Sequence, residues 1–276
     1  MDSNWLKRLA VQCVPAGLTI PLRIQFVENH VTGNYSSYDA AKAVAATLGT
    51  SFQSPEYARL TARNWEIGHQ EGSSPLLSSN AAGVLMATSV ALAGCKPYES
   101  RVLDWGGGDG NYFWLYKRLL RDTGGEGAID WTVLETSQTV GELANIAAGG
   151  LRFSDSEAVI DSGIWRLILM NNALHIFRDP REILARIFKL RPEYVIVGDV
   201  PIAFGASRDR LAIVRPPRFS RKRGYSFPFW IFSEDIWHLH EGAYDMVARW
   251  PAGSSIVDGK RLDRFSYFFH RLHGNP

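Results

Sequence analysis

Cysteine is scarce in this chain. It has two in 276 residues, Cys13 and Cys95, far apart and neither in a CxxC pair. That argues against a disulfide framework and against a structural zinc site, and it fits a reducing cytoplasm. Long apolar runs are missing too. No stretch reaches the roughly 18 uninterrupted residues of a transmembrane helix. The segment LAVQCVPAGLTIPLRIQF is broken by Pro15, Gly17 and Pro21 and lacks an A-x-A-like cleavage pattern. It reads as a segment docked on the body rather than a signal peptide. Trp5, Leu6 and Leu9 beside Lys7 and Arg8 offer the alternative of peripheral membrane contact. An excess of one charge is also lacking. Thirty Lys and Arg stand against 28 Asp and Glu, which argues against a dedicated nucleic-acid binder. Internal repeats and low-complexity tracts are absent. The histidines give no ligand set, because His238 and His240 sit on different faces of a helix, His270 and His273 fall near the end, and no carboxylates complete either pair. No metal site is expected.

What is present is a chain that is 46% hydrophobic and able to bury a sizeable core. Its first 95 residues read as mostly helical. SSYDAAKAVAATLG has cap-like Ser36 and Ser37 and a terminal Gly49; Ser54 and Pro55 open a second helix; SSNAAGVLMATSVALAG is apolar over several turns. From Arg101 the rhythm changes to strand–helix alternation: RVLDW, NYFWLYKRLLRD, DWTVLE, VGELANIAA, LRF, WRLILMNNAL, PREILARIFKL, EYVIVGDV. Apolar strands alternating with helices predict a parallel sheet covered on both faces. The expected organisation is a helical cap over 1–95 and an α/β domain over 96–276. An insertion at about 203–232 interrupts that domain. SEDIWHLHEG is expected to be helical, and YDMVARW and RFSYFFHRL are expected to close the sheet.

The stretch RVLDWGGGDGNY carries the chemistry. Glycines after a strand permit a tight turn and close approach of a ligand to the backbone, and the next helix offers free N–H groups. A nicotinamide fingerprint G-x-G-x-x-G is not completed, since Asn111 or Phe113 stands where the last glycine belongs. The carboxylate of Asp109 would repel a pyrophosphate and tolerate a cation. Asp104, two residues before Gly106, can receive an ammonium. Glu135 ends the second strand, where a carboxylate can accept both hydroxyls of a ribose.

The pattern h-h-Asp-h-Gly-x-Gly-x-Gly resembles motif I of the class I S-adenosylmethionine-dependent methyltransferases, whose ligand has a sulfonium and an ammonium and no phosphate. The resemblance implies a Rossmann-like fold with a seven-stranded, mostly parallel sheet and S-adenosylmethionine as cofactor. It implies cofactor contacts from Asp104, Gly106, Gly107, Gly108, Asn111 and Tyr112, then from Glu135 and Thr136. Phe153 and Asp155 would lie at the adenine, and Asn171 and Asn172 near the methionine part. By the same resemblance, His175 in NNALHIFRDP lies near the site of transfer. It can deprotonate a hydroxyl acceptor, or it can only order the turn. Asp199, at the end of the fifth strand, is an alternative base, an acceptor contact or a structural group.

TGNYSSYDAA, LDWGGGDGNY, SFPFWIFSED, EGAYDMVARW and FSYFFHRL together resemble a narrower group of methyltransferases associated with bacterial surface-polysaccharide and related biosynthetic gene sets. That group's fifth strand ends Asp-Arg-x-Pro; here it ends GDVP. Arg208, Arg210 or Arg215 would have to supply that arginine's contact. The segment RPPRFSRKRGYSFPFW sets cations beside aromatics, which suits a sugar bearing phosphate or carboxylate and equally suits a solvated basic loop. Tyr35, Tyr38, Tyr225 and Trp230 are the candidate acceptor contacts. The expected reaction is methylation of a hydroxyl, with an amine second, on a small-molecule or sugar-like acceptor in the cytoplasm. No nucleic-acid partner is expected, and a homo-oligomer is allowed. The competing classes are a non-catalytic partner that kept the cofactor pocket and a nicotinamide-dependent oxidoreductase.

Overall fold

In the computed structural model, residues 30–68, 78–96, 99–122, 129–147, 149–216, 224–240 and 242–272 are described. The docking segment with Trp5, Leu6 and Leu9, and the basic residues 217–223, lie outside them.

Local sequence signals set where the first helices start. After strand β1 (His30–Thr32), helix α1 (Tyr38–Leu48) opens where the Ser37 hydroxyl accepts the Ala40 N–H at 3.2 Å. Helix α2 (Pro55–Gly68) has Pro55 at its first position, and the Ser54 hydroxyl accepts the Tyr57 N–H at 3.1 Å. Helix α3 (Ser79–Leu92) repeats the device with Ser78 and Ala81 at 3.1 Å. The alternating region then runs β2 (Arg101–Trp105), α4 (Asn111–Asp122), β3 (Asp130–Leu134), α5 (Ser137–Leu143), β4 (Leu151–Ser154), the single turn α6 (Ala158–Asp161), β5 (Leu167–Asn171), α7 (Pro180–Lys189) and β6 (Tyr194–Pro201). Strands β7 (Arg210–Arg215) and β8 (Pro228–Ile231) follow, then a 3₁₀ turn at Glu234–His240, and the long strands β9 (Tyr244–Val257) and β10 (Lys260–Arg271). Asp258 and Gly259 between the last two have φ of 46° and 79°, as a tight I′-type hairpin requires.

The chain divides into two compact units. The larger comprises residues 53–200, 234–253 and 264–276. Its strands lie in the order β4-β3-β2-β5-β6-β10-β9. The first five are parallel, with Asp104 beside Val133 and Leu169, and Asn171 beside Gly198. The Arg271 N–H bonds the Glu193 carbonyl while Ser266 meets Asp199, so β10 runs antiparallel to β6. Leu167, Ile168, Leu169 and Met170 are all fully buried, as a strand covered on both faces must be. Each such side chain contributes about 1.5–3 kcal/mol by leaving water. Phe113 of α4 meets Trp131 of β3 edge-on at 6.0 Å in the same core. Because β2 and β5 are neighbours but their connections leave in opposite directions, the chain reverses between them. In such sheets ligands bind at the carboxyl ends on either side of this point.

The smaller unit comprises residues 1–52, 201–233 and 254–263. Here β7 pairs antiparallel with both β1 and β8, and Val31 of β1 pairs with Val257 of β9. The period-two alternation of β7 serves two clusters. Leu211 and Ile213 pack on Ala41 and Ala45 of α1, while Ala212 and Val214 pack with Val31, Phe229 and Ile231. The Arg210 guanidinium bonds the Gly33 carbonyl and the Asp258 carboxylate, which also accepts the Thr32 hydroxyl at 2.8 Å.

This division differs from the expected cap over residues 1–95. Residues 30–52 pair and pack with the insertion, whereas α2 and α3 belong to the larger unit. The expected insertion is itself partly sheet, and SEDIWHLHEG forms a 3₁₀ turn. Ten strands occur among the described residues, of which seven form the larger unit's sheet.

Candidate functional site

The turn from β2 to α4 is shaped by its glycines. Gly106, Gly108 and Gly110 have φ of 73°, 60° and 72°, a region that side chains disfavour. Gly107 answers a different need. A Cβ there would collide with the Asp104 carboxyl, so only glycine lets the loop fold down onto that acid. The side chain of Asp109 reaches forward along the chain, and its Oδ1 accepts the Asn111 N–H at 3.1 Å, capping the start of α4. Asp109 thus has a structural task besides its charge.

Asp104 is 1% exposed. Its Oδ2 accepts the Trp131 indole N–H at 3.2 Å, and its Oδ1 is buried without a hydrogen-bond partner. Burial pushes the Asp104 pKa up to about 7; the Trp131 bond opposes this, and the nearby Glu135 and Asp109 reinforce it. Glu135 is locked to the loop, its Oε1 accepting the Gly108 N–H at 3.0 Å and its Oε2 the Thr136 N–H at 2.9 Å. Burial raises its pKa too, against these two bonds. Two carboxylates therefore stand at adjacent strand ends, one holding the loop and one with an unpartnered oxygen beneath it.

The sheet brings further predicted residues to this edge. Tyr112, in the first turn of α4, hydrogen-bonds Asn171 at the end of β5. Burial first, then the charges of Asp104 and Asp199, hold its hydroxyl above the usual tyrosine range. Asp199 has a φ of 62°, unusual for a residue with a Cβ. Its Oδ2 pairs with Arg264 at 3.1 Å and its Oδ1 is buried without a hydrogen-bond partner. Burial raises the Asp199 pKa and Arg264 opposes the rise. His175 lies in the 3₁₀ turn after β5, 3% exposed, and burial followed by the Arg264 charge brings its pKa down to about 3. At neutral pH it is an uncharged imidazole.

The other predicted residues make local contacts of their own or are exposed. Asn111 and Asn172 are exposed, Asn172 with a φ of 56°. The Thr136 hydroxyl caps α5 by accepting the Thr139 N–H at 3.3 Å. Phe153 packs on the core of the larger unit, and Asp155 is exposed just beyond β4. The candidate acceptor residues are all in the smaller unit. Tyr35, Tyr38 and Trp230 pack against its α1–β7 cluster, and Tyr225 stacks on Phe52 at 6.3 Å.

Four residues of the site went unnoticed in the sequence: Asn80, Trp250, Arg264 and Ser266. Asn80 of α3 bonds Asn171, Ser266 and Arg264 of β10 bond Asp199, and Trp250 of β9 bonds Asn80. The one local signal was Asn80, a carboxamide in the first turn of a largely apolar helix. Among the described residues, no helix is long and apolar enough to cross a membrane.

No protein-family model matches the chain, and no curated protein matches it. Solved structures do. The [4+2]-cyclase SpnF aligns with a TM-score of 0.51 and 13% identity, over 82% of this chain and 98% of its own. A 1,6-didemethyltoxoflavin-N1-methyltransferase of Burkholderia thailandensis, solved with S-adenosylhomocysteine, is 16% identical at a TM-score of 0.45, covering 79% and 91%. The N-methyltransferase NodS of Bradyrhizobium japonicum WM9, also with S-adenosylhomocysteine, is 13% identical at 0.43, covering 77% and 99%. At these identities the likeness is one of fold. With its parallel strands, helical layers and closing antiparallel hairpin, that fold is a Rossmann-like α/β fold.

Proposed function

We propose that this chain is an S-adenosylmethionine-dependent methyltransferase that modifies a hydroxyl, with an amine as the second acceptor class, on a small-molecule or sugar-like acceptor. The observation that carries the reading is the buried Asp104 carboxyl, one oxygen unpartnered, under a loop that tolerates no side chain at Gly107. A buried, unpaired carboxylate oxygen is costly, and a ligand ammonium would relieve it. The second acid, Glu135, repels phosphate and suits ribose hydroxyls. Together they fit a cationic, phosphate-free nucleoside better than a dinucleotide.

In this reading Asp104, Gly106 to Gly108 and Tyr112 surround the amino-acid part of the cofactor. Glu135 and Thr136 lie at the ribose, Phe153 and Asp155 at the adenine, and Asn171 and Asn172 at the methionine chain. The cofactor supplies an electrophilic methyl on a sulfonium. The protein's share is to exclude water and align the acceptor, which alone supplies much of the acceleration in a displacement of this kind. His175, neutral at pH 7, accepts an acceptor proton only if ligand binding raises its pKa from about 3. The Asp199 carboxylate, its charge balanced by Arg264, is the alternative group for that proton.

Calorimetry with S-adenosylmethionine and S-adenosylhomocysteine tests the reading. Saturable binding is expected, weakened at least tenfold in Glu135→Ala, with no binding of a nicotinamide dinucleotide. Failure of both sulfur ligands to bind sinks it.

A further inference from the structure

Asn80, in the first turn of α3, is 7% exposed and bonded at both ends of its carboxamide. Its Oδ1 accepts the Trp250 indole N–H at 3.2 Å and the Ser266 hydroxyl at 2.6 Å. Its Nδ2 donates to Asn171 Oδ1 at 3.1 Å. The Ser266 oxygen in turn accepts the Asp199 N–H at 2.9 Å, at the residue whose φ is 62°.

The direction of these bonds is not arbitrary. An indole N–H only donates, so Trp250 fixes which end of the Asn80 amide is the oxygen. That leaves Nδ2 facing Asn171, which must answer with its own oxygen. The oxygen lies where a Cβ on Gly198 would stand, so glycine there makes room for it. With its oxygen held by Asn80, the Asn171 carboxamide keeps one of its two flips, and its NH₂ is left to face other groups.

We propose that Asn80 is a positioning residue. Anchored by Trp250 and Ser266, it fixes the orientation of the Asn171 carboxamide at the sheet edge where the amino-acid part of the ligand is placed. Through Ser266 the same side chain holds the strained backbone of Asp199. The inference rests on the cofactor reading above, and it assigns a role to a residue that touches no ligand.

The test is a double-mutant cycle read by S-adenosylhomocysteine binding in calorimetry, with thermal unfolding as the check on folding. Asn80→Ala is expected to lower affinity about tenfold. In an Asn171→Ala background the same change is expected to have little further effect, because the group through which Asn80 acts is gone. A residue that merely fills space would give losses that multiply. Should Asn80→Ala fold poorly, Trp250→Phe removes only the indole donor, keeps the ring's packing, and is expected to weaken binding severalfold. Wild-type affinity in both Asn80→Ala and Trp250→Phe, or multiplying losses in the cycle, overturns the inference while leaving the cofactor reading intact. Absence of binding by the unaltered chain overturns both.

Discussion

Replacing Asp104 with asparagine should make this protein more stable at alkaline pH and a poorer ligand binder, and the two effects have one cause. The carboxyl is buried, and its pKa stands at about 7 against an ordinary 3.8. A carboxyl whose folded-state pKa is raised holds its proton more tightly folded than unfolded. Its contribution to stability is full below about pH 3.8 and is lost as pH rises through about 7. The displacement corresponds to about 4 kcal/mol at 1.36 kcal/mol per pH unit. By pH 8 the wild type bears most of that cost, and Asp104→Asn does not. The asparagine oxygen can still accept the Trp131 N–H. Urea unfolding at pH 5 and pH 8 should therefore show the variant gaining on wild type by about 2–3 kcal/mol between the two. Over the same interval S-adenosylmethionine should bind wild type more tightly as Asp104 ionises, by up to tenfold per pH unit below 7. The variant should bind about ten- to a hundredfold more weakly at pH 8, as befits a lost charged hydrogen bond. A stability difference that does not change with pH, or unchanged affinity in the variant, would refute the reasoning.

Two further outcomes follow from the same geometry. Gly107→Ala drives a methyl group into the Asp104 carboxyl, so it should cost about 1–3 kcal/mol in urea unfolding and abolish measurable S-adenosylhomocysteine binding. His175 should show no imidazole titration between pH 5 and 8 in nitrogen-edited NMR of the ligand-free protein, since its pKa lies near 3; a midpoint between 6 and 7 contradicts the buried, Arg264-facing placement.

Much of the larger unit could be read locally. NYFWLYKRLLRD is α4 residue for residue, and RVLDW is β2, because an apolar face and a glycine turn are short-range signals. The loop and Glu135 were legible for the same reason. What escaped was mostly long-range. RLAIVR falls within the expected insertion, yet it is β7, paired with β1 more than 180 residues earlier in the chain. PAGSSIV reads as a break because Pro251 and Gly253 are poor strand residues; it is nevertheless strand, continuing β9 to Val257, where the last residue pairs with Val31. The Asp258-Gly259 pair was a legible hairpin signal. Trp250, Ser266 and Arg264 could not be read as site residues, because only the placement of β9 and β10 in the sheet brings them to Asn80 and Asp199.

That strand order also governs when the site can exist during synthesis. β10, last in chain order among the described strands, lies between β6 and β9 rather than at the sheet's edge. Until Lys260–Arg271 has been made, β6 has an open flank and β9 has no strand to join in the larger unit. The glycine loop, Asp104 and Glu135 belong to strands completed far earlier. Ser266 and Arg264, which brace Asp199, arrive with β10. A nascent chain halted before β10 would carry the glycine loop while Asp199 and Asn80 still lacked their bonds to Ser266 and Arg264.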